Sequence, residues 1–150
     1  MKRNEERAEL INEMKLQLPS LSVNEGIARA VVAAFCAQLD PASCELADIK
    51  CAVSEAVTNC IVHGYRDSLG TIYITAKLYS DGTVKVVIRD KGCGIEDINK
   101  AMEPMFTTSP GEERSGMGFT VMASFCDKIK VSSALGKGTT VILEKKLSYT

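Results

Sequence analysis

The feature that most constrains the fold is a change in the spacing of apolar residues near the middle of the chain. Between residues 25 and 64 apolar side chains recur every three to four positions, a period typical of helices, whereas between residues 72 and 88 they alternate, a period typical of strands. Helices and strands that each have one apolar face bury those faces by packing against one another. The sequence therefore predicts an α/β fold in which helices form one layer and a sheet forms the other.

Two helices are predicted in the first half of the chain. Ser22 and Glu25 have the spacing of a capping box, and apolar residues then follow at helical spacing: Ile27, Val31, Phe35 and Leu39. A second helix is predicted from about Ala42 to Val62, and Gly64 follows it as a C-terminal cap. Its apolar stripe consists of Leu46, Ile49, Val53, Val57 and Ile61.

Strands are predicted on both sides of these helices and at the end of the chain. Alternation favours a short strand over 14–18, and then two strands joined at Asp81–Gly82, a dipeptide typical of tight hairpin turns. A second hairpin joins 128–132 to 139–147, after a short helix over 119–125. This order predicts a two-layer α/β sandwich with a mostly antiparallel mixed sheet and helices on one face.

Length and composition are those of one globular domain. The chain has 150 residues, of which 45% are hydrophobic and 25% charged, and this excludes a disordered tail protein, a collagen-like fibre and a coiled-coil rod. We expect residues 1–13 to form a charged leader and residues 14–150 to form a single domain.

Charge and hydropathy also limit the partners. Eighteen basic and nineteen acidic residues give a net charge of −1, so no overall field favours direct binding of nucleic acid or of an anionic membrane. The segment 1–7 is charged rather than apolar, and no run of about eighteen apolar residues is present, so we expect a cytoplasmic protein. The six cysteines contain no C-x-x-C pair, which favours reduced thiols over a metal site.

One face of the second helix carries polar residues that are candidates for chemistry. Glu55 and Asn59 are four residues apart, so they project from the same side of the helix. Taken alone, the pair is more simply explained as part of a solvent-exposed face. His63 continues the spacing at the helix end, where a capping role is the simpler interpretation.

Two glycine-containing segments are candidates for nucleotide binding. Asp90 ends an apolar strand and is followed by Gly92 and Gly94, and a carboxylate in that position needs hydrogen-bond donors. Gly116 and Gly118 end a long loop and begin a helix, where free backbone N–H groups bind phosphate. Each motif alone is equally well explained by an ordinary turn or hinge.

The ordered set of these motifs is much more specific than any one of them. Along the chain the sequence reads E-x-x-x-N, D-x-G-x-G, a long loop, G-x-G and G-T. This set resembles the Bergerat-type ATP-binding fold shared by DNA gyrase B, Hsp90, histidine kinases and MutL. Segments 54–59, 63–65, 106–108 and 113–119 further resemble the anti-sigma serine kinases, and among them the members that control the sporulation sigma factor F.

The resemblance implies roles for individual polar residues. Glu55 is expected to be the general base that accepts the proton of an attacking hydroxyl. Asn59 is expected to offer its amide oxygen to Mg²⁺, which prefers oxygen ligands. Asp90 is expected to accept a hydrogen bond from the amino group of adenine, with Thr139 assisting through water.

The same resemblance implies that residues 103–118 form a lid over ATP. Arg114 is expected to offset charge on the transferring γ-phosphoryl group and so to take part in catalysis as well as in nucleotide binding. The other nucleotide-binding residues that it implies are Gly92, Gly94, Thr107, Thr108, Gly116, Met117 and Gly118. Of these, the first two glycines are expected to let the purine lie against the backbone.

The implied function is that of an anti-sigma factor with protein serine kinase activity. The implied partners are a sigma factor, an anti-anti-sigma protein phosphorylated on serine, and a second copy of the chain in a homodimer, with Arg29 at the partner surface. A stress-response kinase of the anti-sigma B type and a nucleotide-dependent binding module without catalysis remain as alternatives. A hydrolytic ATPase of the gyrase or mismatch-repair kind is disfavoured by the length of the chain, and a pure binding module by Glu55.

Overall fold

Three helices and five strands form in the part of the chain that the computed structural model describes, residues 8–66, 68–95 and 118–148. The strands are β1 (Leu10–Pro19), β2 (Thr71–Tyr79), β3 (Thr83–Asp90), β4 (Lys128–Ala134) and β5 (Gly138–Lys146). The helices are α1 (Asn24–Cys36), α2 (Ser43–Asn59) and α3 (Gly118–Phe125), with a 3-10 turn at Ala37–Leu39 and a π-helical turn at Cys60–Gly64.

The described strands form one sheet in the order β1-β2-β3-β5-β4, and every pairing between them is antiparallel. The prediction of a two-layer α/β sandwich is confirmed, except that this sheet is antiparallel rather than mixed. The predicted hairpin turn is confirmed as well, because Gly82 has a φ of 88° and the Thr83 N–H donates to Asp81 Oδ1 at 3.0 Å. Strand β3 lies at the centre of the sheet.

The core lies between the sheet and α2. The residues of β2 and β3 that alternation predicted to share one face are all buried: Ile72, Ile74, Ala76, Leu78, Val84, Val86 and Ile88. The stripe predicted on α2 is buried at Ile49, Val53 and Val57, while Leu46 and Ile61 pack at its margin. Each fully buried aliphatic side chain of this kind stabilises the fold by about 1.5–3 kcal/mol.

The apolar stripe predicted on α1 is only partly confirmed. Phe35 and Leu39 pack against the core, whereas Ile27 is 46% exposed and Val31 is only partly buried. The residues of α1 that reach zero exposure are Ala28, Val32 and Cys36. The reason is that α1 packs mainly on α2, and small side chains let two helices approach closely.

The capping box predicted before α1 is wrong. The helix begins at Asn24, and no side chain accepts a hydrogen bond at its N-terminus. Asn24 instead donates from Nδ2 to the Pro19 carbonyl oxygen at 2.9 Å, and so holds the helix start on the end of β1. The Glu25 carboxylate is used elsewhere, by Ser54 and Arg29.

The first strand is longer than predicted, because β1 begins at Leu10 rather than at Met14. Backbone pairing with β2 holds this first part of the strand, and Ser80 anchors its start through bonds in both directions with Glu9 at 2.8 and 2.9 Å. Leu10 and Ile11 are adjacent apolar residues, and both are exposed. Because they do not alternate with polar residues, periodicity in the sequence does not mark this part of the strand. Residues 1–7 lie outside the described part of the chain.

The cysteines are all free thiols. Burial raises the pKa of Cys36 to about 12. Burial is also the largest cause of the raised pKa of Cys126, which is about 11, so both thiols stay protonated at neutral pH. Cys44 and Cys51 are exposed on α2. In the described residues, no helix is long and apolar enough to cross a membrane.

Ile88→Ala is expected to lower the free energy of unfolding by about 2–5 kcal/mol, because it opens a cavity under the central strand. Val87 lies on the uncovered face of the same strand, and Val87→Ala is expected to cost about 1 kcal/mol or less. Urea denaturation followed by circular dichroism measures both losses. Equal losses would contradict a core that lies on one side of the sheet only.

Candidate functional site

The candidate site is centred on Asp90, the last residue of the central strand β3. This residue is 4% exposed, and among the described residues it is the only charged one that is buried. A buried carboxylate is costly unless donors surround it. The Gly92 N–H donates to Oδ1 at 2.9 Å, and the polar groups of Thr139 and Cys60 also favour the charged form.

Burial dominates the electrostatics of this carboxylate. It raises the pKa of Asp90, and the polar groups of Gly92, Thr139 and Cys60 partly offset the rise because they stabilise the charged form. Burial, followed by the negative charge of Asp90, holds the pKa of Cys60 well above its usual value. The Cys60 thiol therefore stays protonated at neutral pH.

The π-helical turn Cys60–Gly64 forms one wall around the Asp90 carboxylate. Such turns are rare and occur frequently at functional sites. A Cβ atom at Gly64 would lie 2.8 Å from Asp90 Oδ2 and 3.0 Å from Oδ1, so glycine leaves the room that the carboxylate occupies. The turn is also bonded to the loop after Asp90, since the Cys93 N–H donates to the Gly64 carbonyl oxygen at 2.9 Å and the Cys93 thiol to that of His63 at 3.1 Å.

Tyr65, which directly follows the π-helical turn, holds the loop after Asp90 in place. Its hydroxyl donates to the Thr71 carbonyl oxygen at 2.6 Å and accepts the Lys91 N–H at 2.8 Å. Burial is the main reason that the pKa of Tyr65 is raised, so the hydroxyl keeps the proton that it donates. Sequence reasoning did not single out this role, although Tyr65 directly follows Gly64 in the segment that carried the resemblance.

The glycines after Asp90 allow close approach of the protein's own backbone. A Cβ atom at Gly92 would overlap the carbonyl group of Gly64, and one at Gly94, where φ is 76°, would overlap that of Ala134. The sequence led us to expect a purine against these glycines, whereas the space beside their Cα atoms is filled by neighbouring chain segments. A contact between their remaining surface and a nucleotide stays a prediction.

Thr139 lies beside Asp90, as the resemblance implied. The register of β3 and β5 pairs the two residues directly, and the Thr139 N–H favours the charged form of the carboxyl group. The Thr139 hydroxyl forms a 2.9 Å hydrogen bond with the Ser133 hydroxyl, which also accepts the Ile95 N–H at 2.7 Å. Strands β4 and β5 thus hold the end of the Asp90 loop in place.

The polar pair on α2 lies next to this site along the chain. Asn59 is the last residue of α2 and is followed directly by the π-helical turn Cys60–Gly64, which adjoins Asp90 at Gly64. Glu55 is one turn earlier, and both side chains are partly buried. Partial burial distinguishes the pair from the exposed face of α2 that carries Cys51.

The predicted lid residues Thr107, Thr108, Arg114, Gly116 and Met117 lie outside the described part of the chain. Gly118 is described, as the first residue of α3. Helix α3 packs on α2, so the helix that follows the predicted lid adjoins the helix that carries Glu55 and Asn59. The roles assigned to the lid stay predictions.

A polar link that sequence reasoning missed joins α1 to α2. The Ser54 hydroxyl donates to Glu25 Oε1, and the same carboxylate pairs with Arg29 at 3.5 Å. Glu25 and Arg29 are four residues apart on α1, a spacing that could have predicted their pairing. The contact with Ser54 spans 29 residues of sequence and required the fold.

Gly92→Ala is expected to lower the free energy of unfolding by about 2–3 kcal/mol, because its Cβ would overlap backbone that cannot move independently. Gly136 is the matched control, since it has a φ of 77° but open space around the Cβ position. Gly136→Ala is expected to cost about 1–2 kcal/mol through backbone strain alone. Thermal and urea unfolding compare the two. A larger loss at Gly136 would mean that strain, rather than the contact with Gly64, governs this loop.

Comparison with known proteins identifies the family. The histidine kinase-like ATPase domain family matches residues 18–145. The anti-sigma F factors of Priestia megaterium and Thermoanaerobacter pseudethanolicus are 51% and 56% identical to this chain, and the matches cover 91% of it and 94% and 95% of those proteins. A structure of the RsbU and RsbW domains of a Mycobacterium tuberculosis protein matches 93% of this chain and 33% of that one, with a TM-score of 0.67 and 22% identity, a likeness of fold. The chain therefore belongs to the histidine kinase-like ATPase domain family and, within it, to the anti-sigma F factors.

Proposed function

We propose that this protein holds an RNA polymerase sigma factor inactive and phosphorylates the antagonist of that complex, an anti-anti-sigma protein, on serine with ATP and Mg²⁺. The observation that best supports ATP binding is the buried, hydrogen-bonded carboxylate of Asp90 at the end of the central strand. The partners follow from the name of the relatives that are 51% and 56% identical to this chain over 91% of its length. The sporulation sigma factor F is the sigma factor proposed.

Asp90 is the proposed recognition group for adenine. The exocyclic amino group of adenine is a hydrogen-bond donor, and a carboxylate accepts such a donor. A buried carboxylate gains more from this bond than an exposed one, because water does not compete for it. The hydroxyls of Thr139 and Ser133 lie beside the same strand end and offer positions for a bridging water.

Asn59 is the proposed Mg²⁺ ligand. Its amide oxygen is a hard ligand of the kind that Mg²⁺ prefers, and Mg²⁺ is usually held by one or two protein oxygens together with phosphates and water. A site with only one or two protein ligands is compatible with the described residues, among which no three His, Cys, Asp or Glu side chains lie close enough together to hold a metal ion by themselves. When bound, the ion offsets negative charge on the phosphates.

Glu55 is the proposed general base, one helical turn from Asn59. Its carboxylate accepts the proton of the substrate serine hydroxyl while the serine oxygen bonds to the γ-phosphorus. The bond from that phosphorus to the bridging oxygen of ADP breaks, and ADP leaves with the electron pair. Arg114 and residues 103–118 are proposed to cover the phosphates, with Thr107, Thr108, Gly116, Met117 and Gly118 among the contacts.

The surface around the start of α1 is the proposed partner surface. Leu21, Val23 and Ile27 are 47%, 71% and 46% exposed, an unusual concentration of apolar side chains on one short segment. Arg29 follows on the same helix and is held by Glu25. We propose that a second copy of the chain and the two protein partners use this region, in the cytoplasm and without direct contact to nucleic acid.

Asp90→Asn is expected to weaken ATP binding by at least about tenfold, because the amide cannot offer the same acceptors to the Gly92 N–H and to adenine together. Calorimetric titration with Mg²⁺ and ATP measures the loss, with circular dichroism to confirm folding. Asp81→Asn is the matched control, since Asp81 accepts the Thr83 N–H in the hairpin turn before β3, at the opposite end of that strand from Asp90. A folded Asp90→Asn protein with unchanged affinity would overturn the adenine assignment.

Glu55→Gln is expected to slow phosphoryl transfer by about 10²–10⁴-fold while ATP and sigma-factor binding persist, because a positioned base contributes that much to rate. Transfer of radiolabelled phosphate to the anti-anti-sigma protein is measured beside a sigma-factor pull-down with ATP. Glu45→Gln provides the control, since Glu45 lies at the opposite end of α2 and bonds there to the N–H groups of Ala42 and Ser148.

Two outcomes of this comparison would contradict the proposal. Transfer by Glu55→Gln at the wild-type rate would remove Glu55 as the base. Absence of transfer by the wild-type protein, with nucleotide-dependent binding of the sigma factor retained, would favour a binding module without catalysis.

A further inference from the structure

The hydroxyl group of Tyr65 occupies an unusual place at the end of the sheet. The register of β2 and β3 pairs Tyr73 with Arg89, and its continuation would bring the carbonyl group of Thr71 opposite the N–H group of Lys91. In an antiparallel ladder, facing N–H and carbonyl groups bond to each other directly. Here the Tyr65 hydroxyl stands between them, since it accepts the Lys91 N–H at 2.8 Å and donates to the Thr71 carbonyl oxygen at 2.6 Å. A side chain therefore bridges the two strands where their backbone ladder ends.

The Tyr65 ring is held in place by the backbone of a neighbouring glycine. The residue is 9% exposed, and a Cβ atom at Gly70 would lie 2.1 Å from its Cε1 atom, so the ring fills space that glycine leaves. Gly70 is itself fixed, because its N–H donates to the Ser20 hydroxyl at 3.0 Å and its carbonyl oxygen accepts the Ser20 N–H at 2.9 Å. Packing around the ring therefore sets the position of the hydroxyl.

The bridge acts on the backbone segment that holds the Asp90 carboxylate. The N–H of Lys91, which directly follows Asp90, bonds to the Tyr65 hydroxyl. The N–H of the next residue, Gly92, bonds to Asp90 Oδ1 at 2.9 Å. Because successive peptide groups are rigid planes joined at one Cα atom, the position of the first N–H limits where the second can lie. The direction of the carboxylate therefore depends on a hydroxyl that bonds to the backbone beside it.

We propose that Tyr65 is a positioning residue for adenine recognition, whose hydroxyl holds the backbone after Asp90 so that the carboxylate faces the amino group of adenine. This inference rests on the proposed role of Asp90 in ATP binding. Tyr65 acts through the backbone of Lys91 and Gly92 rather than through contact with the nucleotide. Its hydroxyl therefore sets the preference for a base that carries an amino group.

Tyr65→Phe tests the proposal because it removes the hydroxyl and keeps the ring. Calorimetry with Mg²⁺ measures the affinity of the whole chain for ATP and for purine riboside triphosphate, which lacks only the amino group of the base. The ratio of the two affinities reports the bond to the amino group, whereas a loss of folded protein weakens both affinities alike. Tyr79→Phe is the matched control, since it removes a hydroxyl from the opposite end of β2. Circular dichroism confirms that each variant is folded.

The wild type is expected to bind ATP at least about tenfold more tightly than purine riboside triphosphate, because a hydrogen bond to a charged group is lost with the amino group. Tyr65→Phe is expected to bind ATP about three- to tenfold more weakly and the analogue within about twofold of the wild type. Tyr79→Phe is expected to keep both affinities. A folded Tyr65→Phe protein with the wild-type ratio would overturn the proposal, and so would an equal fall of the ratio in Tyr79→Phe.

Gly70→Ala tests the same bridge through a different residue. Its Cβ atom would displace the end of the Tyr65 ring, because the bonds between the Gly70 backbone and Ser20 hold the glycine in place. The ratio of affinities is expected to fall as in Tyr65→Phe, and to fall little further when the two changes are combined, since both act on one hydroxyl. Additive falls in the folded double variant would contradict the proposal.

A measurement without nucleotide separates this proposal from the proposed function. Amide hydrogen exchange of the ligand-free protein is followed by NMR at Lys91 and Gly92, with the amide of Ile88 inside β3 reporting any change in overall stability. Tyr65→Phe is expected to speed exchange at the two loop amides by at least about threefold relative to that of Ile88. Unchanged relative exchange would exclude the bridge as a positioning device, whatever the protein binds. Equal affinity of the wild type for the two nucleotides would instead overturn the assignment of adenine to Asp90.

Discussion

A buried negative charge at the end of the central strand is the constraint on which the site depends. Asp90 is surrounded by the π-helical turn, by the start of β5 and by the loop after β3, whose Gly92 N–H donates to the carboxylate at 2.9 Å. Desolvation of a carboxylate costs several kcal/mol unless such donors are fixed in place. The backbone of the turn, the loop and the strand is therefore packed closely enough that side chains are excluded at Gly64, Gly92 and Gly138.

This close packing explains why a rare helical geometry occurs at the end of α2. A π-helical turn advances the backbone less per residue than an α-helix, and it brings Gly64 against the same carboxylate. The helix before the turn carries Glu55 and Asn59, so its position is tied to that of Asp90. Packing that satisfies a buried charge thus also sets where the two candidate polar residues of α2 lie.

Because one side of α1 packs against α2, the helix has one buried and one exposed surface. Small side chains pack inward at Ala28 and Cys36, which lets α1 lie close to α2, while Ile27 stays 46% exposed. The Ser54 hydroxyl bonds to Glu25, which in turn holds Arg29, so α2 also orients a charged residue of the exposed surface. The proposed partner surface and the surface that faces the core are therefore built on one short helix, and the Glu25 carboxylate links them.

The sequence by itself determined the elements whose signals are local. Alternation at Ile72–Leu78, the Asp81–Gly82 turn and the stripe on α2 depend on neighbours a few residues away, and the structure confirms each of them. The motif order indicated the family, and the comparisons confirm it. Only the tertiary structure decided that Glu25 bonds to Ser54 rather than capping its helix, and that Gly64 lies against the Asp90 carboxylate. The physical reason is that periodicity is a property of adjacent residues, whereas burial and hydrogen bonding depend on residues that distant segments bring together.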